Sequence, residues 1–438
     1  MFPGPGFVYC PSMSTAEHDK QIDIGRVATT TFSTTSIVGI RLAIQALVLV
    51  LSARLLGVDG FGVVSAIVAV SLVLGPWSGL GYDFIALRST SGDRASSSSH
   101  FWHGVTLVAK TAVPTILLTI LWAWLWTGDE TIALATVLIF TAELLFLRIT
   151  ELFAKIFQGN DRFYEMAFTR LAISVSRLMV LGLVALYSSE ITAVEWGWAN
   201  LVAALLSLGF SLIFLKFRLG LAMPRSGWRP PPMHDGLHFA AGITSVRLST
   251  EFDKSLVLAM AGVAGAGIYA ASRRIVSLAV APVISLVNVV ITSLFRLKSR
   301  NERVRLRQRS LAVCAISVAY GTIVGVLVWL FLPDLAAATL GEEFRALSAG
   351  LLPLSVLVIP TSCRLVAEQA VAALGEFRAR LIIQWAVAGL SVVMNLLVIP
   401  VFGWQGAAWI LVASEVVLAL SFVLIIYMSV PGIQEQPS

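Results

Sequence analysis

The sequence predicts an all-α polytopic membrane protein with twelve transmembrane helices in two six-helix lobes related by a parallel repeat. Three observations carry this prediction. The first is composition: 57% of the 438 residues are apolar and 13% charged, against roughly 45–50% and 25% in a soluble domain. With a mean hydropathy of +0.86, lipid must be the main solvent of such a chain. The second is charge, because basic connections alternate with nearly neutral ones. The third is a glycine pattern that occurs twice, half a chain apart.

Twelve apolar runs are each bounded by charges, Gly or Pro. They cover 33–54, 62–87, 104–127, 131–157, 166–188 and 192–215, then 237–261, 266–295, 310–332, 347–374, 379–401 and 404–429. The connections "TGDET", "SSEITAVE" and "FGWQG" are short and free of Lys and Arg. The alternate ones are basic, most of all "RLKSRNERVRLRQR" from Arg296 to Arg309. Counted with the neutral side are Arg54, Arg273, Arg274 and Arg345. Basic loops stay inside, so both termini are expected in the cytoplasm. The net charge of +6 thereby reads as topology and headgroup contact rather than nucleic-acid binding.

The domain reading follows the runs. Residues 1–32 form a cytoplasmic tail, 33–218 the first lobe, 219–236 a connector, 237–429 the second lobe and 430–438 a second cytoplasmic tail. "RPPPMHDG" in the connector favours an extended, semi-rigid strap. The stretches "LLGVDGFGVVSA" and "MAGVAGAGIYAA" begin at Leu55 and Met260 and share Gly57/Gly262, Val58/Val263, Gly60/Gly265, Gly62/Gly267 and Ala66/Ala271. Both fall where the first helix of a lobe runs into the second. Six is even, so the second lobe enters the membrane in the same direction as the first. Tight turns at Gly60 and Gly265 are expected, where a Cβ would obstruct close helix ends.

A charge at mid-span costs about 2.5–3.5 kcal/mol on insertion scales, so each one needs a reason. Arg148 has Glu151 one turn away. Arg247, Glu251 and Lys254 fall at i, i+4 and i+7 of the seventh run, with Asp253 pointing elsewhere, and Arg364 and Glu368 are an i, i+4 pair on the tenth. Arg41 and Arg177 have no acid at helical spacing on their own helices; Glu143 and Glu415 are the mirror case. An ion pair of Arg41 with Glu415 is one way to settle both. Counted together, mid-depth bases and acids balance, so the tally alone does not define a cationic cavity.

Other chemistry is sparse. Cys10, Cys314 and Cys363 form no CxxC or disulfide framework. The pairs His100/His103 and His234/His238 lack a third ligand, so no metal is expected. No P-loop or HExxH occurs, and the outer loops are too short for a catalytic domain. Neither enzyme activity nor a cofactor is expected.

Two stretches carry a family resemblance. "RLAIQALVLVLSARLLGVDGFGVVSAIVAVSLVLGPWSGLGYDFIALR" resembles the opening of polysaccharide flippases of the multidrug/oligosaccharidyl-lipid/polysaccharide (MOP) transporter superfamily. "STEFDKSLVLAMAGVAGAGIYAASRRI" resembles that family's seventh helix, with Asp253 ahead of Gly262, Gly267 and Tyr269. The basic stretches "FQGNDRFYEMAFTR" and "ALGEFRARLIIQWA" also match one another. The resemblance implies a cleft between two lobes and movement of a polyprenyl-pyrophosphate-linked oligosaccharide from the inner to the outer leaflet of a bacterial cytoplasmic membrane. By position it implies that Arg41, Arg247 and Lys254, with Arg177 and Arg364, hold the pyrophosphate, and that Asp253, Glu251 and Glu415 serve ion or proton coupling. Expected partners are the lipid-linked oligosaccharide, membrane lipids, and the polymerase and glycosyltransferases of the same pathway. The competing readings are a MATE-type drug or metabolite exporter and a non-transporting scaffold for glycan assembly.

Overall fold

Glycine decides where the first long helix bends. Helix α1 runs Ile24–Leu74, 51 residues, which at 1.5 Å per residue is about 77 Å, more than twice a bilayer core. It cannot be one span. Gly57 breaks it with φ +63 and ψ −176, a conformation open only to a residue without Cβ. The same device recurs at Gly262 (φ +83) in α9, Asp253–Ser299, and at Gly403 (φ +59) in α12, Phe377–Met428.

In this computed structural model the described residues are 24–92, 96–127, 130–219, 230–299 and 302–428. The N-terminal tail is therefore described only from residue 24, the connector only at its ends, and the C-terminal tail not at all. Between α1 and α9 come α2 (Tyr82–Gly92), α3 (Ser97–Thr127), α4 (Glu130–Phe140), α5 (Leu147–Gly159), α6 (Phe163–Tyr187), α7 (Ala193–Leu219) and α8 (His234–Thr250). Helices α4 and α5 are one rod joined by a π-helical stretch, Thr141–Phe146. After α9 follow α10 (Arg303–Leu340), a 3-10 stretch Glu342–Gly350, and α11 (Leu351–Leu374), which leads into α12. Nine of these rods among the described residues are long and apolar enough to cross a membrane. Dividing three of them at Gly57, Gly262 and Gly403 yields the twelve spans read from sequence, in a multi-pass membrane protein.

Two spans are broken where an unbroken one was expected. The second unwinds over "GPWSGLG": Pro76 cannot donate to a helix ladder, and Gly79, Leu80 and Gly81 all have positive φ (+88, +52, +69). Arg148 Nε donates at 2.7 Å to the Gly75 carbonyl, which also accepts from the Ser78 N–H; the carboxylate at Glu151 is not its partner. The seventh span breaks between α8 and α9 at Glu251–Phe252, where Arg273 Nη2 donates to the terminal Thr250 carbonyl at 3.0 Å. A cation at a helix C-terminus is favourably placed against the helix dipole.

The lobes meet along two antiparallel seams. Descending the second span and ascending the seventh, Ser255 Oγ donates to Ala66 O (2.9 Å) and Thr244 Oγ1 to Val73 O (3.4 Å). Further on, Gly81 lies against the Gly236 backbone and Arg88 Nη1 pairs with Asp235 Oδ2 at 2.9 Å. At the opposite, neutral end the duplicated glycines contact each other. A Cβ on Gly62 would stand 2.7 Å from Gly267 N and against Val263 O; one on Gly267 would stand 2.9 Å from the carbonyl carbon of Val58. Val58 and Val263 are themselves a repeat pair, so the contact has pseudo-two-fold symmetry about an axis between the hairpins. The expected tight sites, Gly60 and Gly265, are not the crowded ones: a Cβ there meets only the side chains of Leu56 (3.2 Å) or of Ala261 and Trp404 (both 3.5 Å).

Candidate functional site

Between the lobes lies a cavity of about 140 Å³. Helix α1 contributes Arg41, Gln45 and Val48, which share one face at i, i+4 and i+7. Helix α6 contributes Arg170, Ile173, Ser174 and Arg177 at the same helical spacing, α5 contributes Glu151, and α9 of the other lobe contributes Arg274. Four guanidinium groups thus surround one small space.

Two of the four are neutralised. Arg170 Nη2 pairs with Glu151 Oε2 at 3.1 Å. Arg177 pairs with Glu143 through Nη2 and donates from Nε to Asn200 Oδ1 at 3.0 Å. Asn200 braces the same carboxylate from its amide, 3.4 Å from Glu143 Oε1. The other two have no such partner. The Nε of Arg41 is buried without a hydrogen bond, and among the described residues neither Arg41 nor Arg274 forms an ion pair. Arg274 is accessible from the cavity although it lies twelve residues beyond Gly262, about 18 Å below the neutral end. A cation held there without a counterion is costly. The cavity therefore carries two positive charges that have no ion-pair partner among the described residues, one from each lobe, an arrangement that can accept an anion.

The other residues singled out from sequence form two separate clusters. At the break in the seventh span, Arg247 Nη1 lies 3.4 Å from Glu251 Oε1, and Lys254 pairs with the second oxygen of the same carboxylate. Glu251 is thus occupied by two cations, and neither Arg247 nor Lys254 lines the cavity. Asp253 is buried (4% exposed) and accepts hydrogen bonds from the Tyr269 hydroxyl and, at 2.9 Å, from the Lys254 backbone N–H. Despite the helix break, the three side chains expected on one face, Arg247, Glu251 and Lys254, do meet one another.

Arg364 and Glu415, expected at the substrate and coupling sites, are instead placed against each other. Arg364 Nε–Glu415 Oε2 and Arg364 Nη1–Glu368 Oε2 are both 2.6 Å, and Glu368 is also held by Arg380 and by Gln384 Nε2 at 3.1 Å. Arg364, Glu368 and Glu415 are 6%, 5% and 3% exposed. This cluster of two bases and two acids is neutral, and none of its members lines the cavity. The pairing of Arg41 with Glu415 does not occur. Taking one acid from this buried cluster leaves Arg364 and Arg380 sharing the single carboxylate of Glu368, and breaking a buried pair in this way costs about 3–5 kcal/mol. Glu415→Ala should accordingly lower the thermal unfolding midpoint in detergent by several degrees, whereas Arg41→Ala should leave it unchanged.

Sequence reasoning missed Arg274, Arg170 and Glu151. Arg274 was counted with the neutral-side loops and Arg170 with the basic ones, and Glu151 was assigned to Arg148. The signal for Arg274 was present: if Gly262 is the turn, twelve helical residues carry it deep into the membrane.

Residues 27–298 match a family model described as polysaccharide biosynthesis protein. The chain belongs to that family. The matched span contains every residue of the cavity, from Arg41 to Arg274. No curated protein matches the chain in sequence. Among solved structures, an inward-facing multidrug resistance MATE family transporter of the MOP superfamily is similar with TM-score 0.74 at 16% identity, over 88% of this chain and 94% of that one. The MATE multidrug transporter DinF-BH, in complex with R6G, gives TM-score 0.67 at 13% identity over 94% and 97%. A MOP superfamily transporter from Pyrococcus furiosus, described as having a binding pocket of reversed polarity, gives 0.63 at 14% over 92% and 94%. The family member described here shares the fold of these MATE transporters.

Proposed function

We propose that the protein moves a polyprenyl-pyrophosphate-linked oligosaccharide across a bacterial cytoplasmic membrane, from the side of the basic loops to the other, by alternating access. One observation carries the reading: Arg41 and Arg274, on opposite lobes, share a cavity and have no ion-pair partner among the described residues. A diphosphate diester carries two negative charges, which match them. Guanidinium forks bind phosphate oxygens through paired, charge-assisted hydrogen bonds. A cavity of about 140 Å³ has the room of a few waters. That suits the diphosphate, while the glycan extends toward the mouth and the lipid tail stays in the bilayer. Because the two cations belong to different lobes, a bound diphosphate bridges the parts that must move. Export of organic cations fits less well, since the acids near the cavity, Glu143, Glu151 and Glu251, are already tied to basic side chains.

The test is reconstitution into liposomes with a fluorescent polyprenyl-pyrophosphoryl sugar, its leaflet read by quenching with a membrane-impermeant reductant. Faster leaflet exchange is expected for the diphosphate than for the corresponding monophosphate, and none above background for the neutral glycolipid. Equal rates for all three lipids would remove the anion from the recognition.

A further inference from the structure

Among the described residues, two polar contacts cross between the lobes at the neutral end, and each is a charge set against a helix terminus. Arg54, near the end of the first span, donates from Nε to Thr339 O (2.7 Å) and from Nη2 to Ala338 O (2.9 Å). These are terminal carbonyls of α10, which stops at Leu340 before Gly341 turns the chain with φ +130. In return Glu343, just past that turn, accepts from the Val58 backbone N–H at 3.3 Å. Val58 opens the helical stretch that follows the Gly57 break. Thus the first lobe places a cation on a helix C-terminus of the second, and the second places an anion on a helix N-terminus of the first. Both placements have the favourable sign for the helix dipole.

We infer that Arg54 and Glu343 form a reciprocal latch that holds the two lobes together at the neutral end. Three features separate it from general packing. It joins α1 to the α10–α11 turn, beside the glycine seam between α1 and α9 and through different side chains. It is not a product of the repeat, because Ala259 occupies the position corresponding to Arg54. Finally, both side chains are exposed, so water can replace each contact when it opens and the hold is weak enough to be reversible. Separation of the lobes at this end must break all three hydrogen bonds. The latch rests on the alternating-access reading only in requiring that separation.

Spin labels attached through Ser189→Cys and Ser348→Cys, both at exposed neutral-end positions on opposite lobes, would report the distance by pulsed electron resonance in an otherwise cysteine-free protein. Arg54→Ala combined with Glu343→Gln should raise the population with a long inter-lobe distance roughly tenfold. Arg54→Lys, which keeps the charge but loses the fork, should give an intermediate shift. A double variant that elutes as folded protein with an unchanged distance distribution overturns the latch. So does loss of folded protein in the Lys variant, because the contact would then be needed for folding rather than for switching. The substrate reading fails on a different measurement, the translocation assay, which needs neither substitution.

Discussion

Arg274→Ala should abolish translocation of the diphosphate lipid while leaving the amount of folded protein unchanged, and Arg41→Ala should do the same. The reasoning starts from what each arginine lacks. Neither has an ion-pair partner among the described residues, so truncating it strands no carboxylate, and relieving a costly cation offsets the lost packing. Losing a charge-assisted contact to a desolvated phosphate costs about 2–5 kcal/mol, a factor of roughly 30 to several thousand in affinity. Lys at either position keeps the charge without the fork and should retain part of the activity. Arg170→Ala and Arg177→Ala should behave differently. Each would leave Glu151 or Glu143 without its pair, so translocation and the unfolding midpoint should fall together. Translocation rate and thermal stability measured on the same four preparations check this division. Arg274→Ala protein that transports at more than half the normal rate would end the claim that the cavity grips the substrate from both lobes.

How much of this site could be read from the sequence depends on the distance over which each fact acts. That Arg41 has no acid one turn away is local, and it was legible. That Arg364 does have partners was half legible: Glu368 lies at i+4, but Glu415 arrives from another helix, and no spacing reveals a contact of that kind. The even tally of deep bases and acids hid an uneven distribution. The neutral cluster around Arg364 absorbs Glu368 and Glu415, Glu251 is shared by Arg247 and Lys254, and the cavity is left with the surplus arginines. Charge balance over a chain says nothing about balance within a cavity.

The fold was more legible, because hydropathy and loop charge act along the chain. The alternation of basic and neutral connections placed twelve spans, and the structure retains them although several are fused into single rods across glycines. What escaped were the breaks inside spans. "GPWSGLG" carries Pro76 and three glycines within an apolar run, and the hydropathy that marks it as membrane-spanning conceals that it is not helical there. The break at Glu251–Phe252 has neither Gly nor Pro. Tertiary contacts flank it, with Arg273 on the Thr250 carbonyl and Tyr269 on Asp253, and nothing local announces it.

The repeat leads to the second large effect. Ala at Gly62 or Gly267 should prevent the two hairpins from closing, and Val at either position should deplete folded protein altogether. Both glycines lie within helices, where alanine is otherwise preferred, so local propensity argues for tolerance. The seam argues the reverse. A methyl on Gly62 would meet Val263 O and, at 2.7 Å, Gly267 N; a methyl on Gly267 would meet Val58 O and, at 2.9 Å, its carbonyl carbon. Backbone cannot rotate aside as a side chain does, so the lobes would have to separate. Overpacking in a well-packed core typically costs about 1–3 kcal/mol, and here each change loses the close approach that binds small-residue helix pairs in lipid. Gly60→Ala and Gly265→Ala provide the control, since a Cβ at those sites meets only side chains at 3.2 and 3.5 Å. Size-exclusion profiles and unfolding midpoints of the four Ala variants should therefore divide by position, with Gly62 and Gly267 impaired to a similar degree and Gly60 and Gly265 near normal. The similarity within the first pair matters as much as the size of the loss, because a pseudo-two-fold seam is damaged equally from either lobe. If Gly62→Ala were severe and Gly267→Ala mild, the two hairpins would not be equivalent partners, and the closure would belong to one lobe alone.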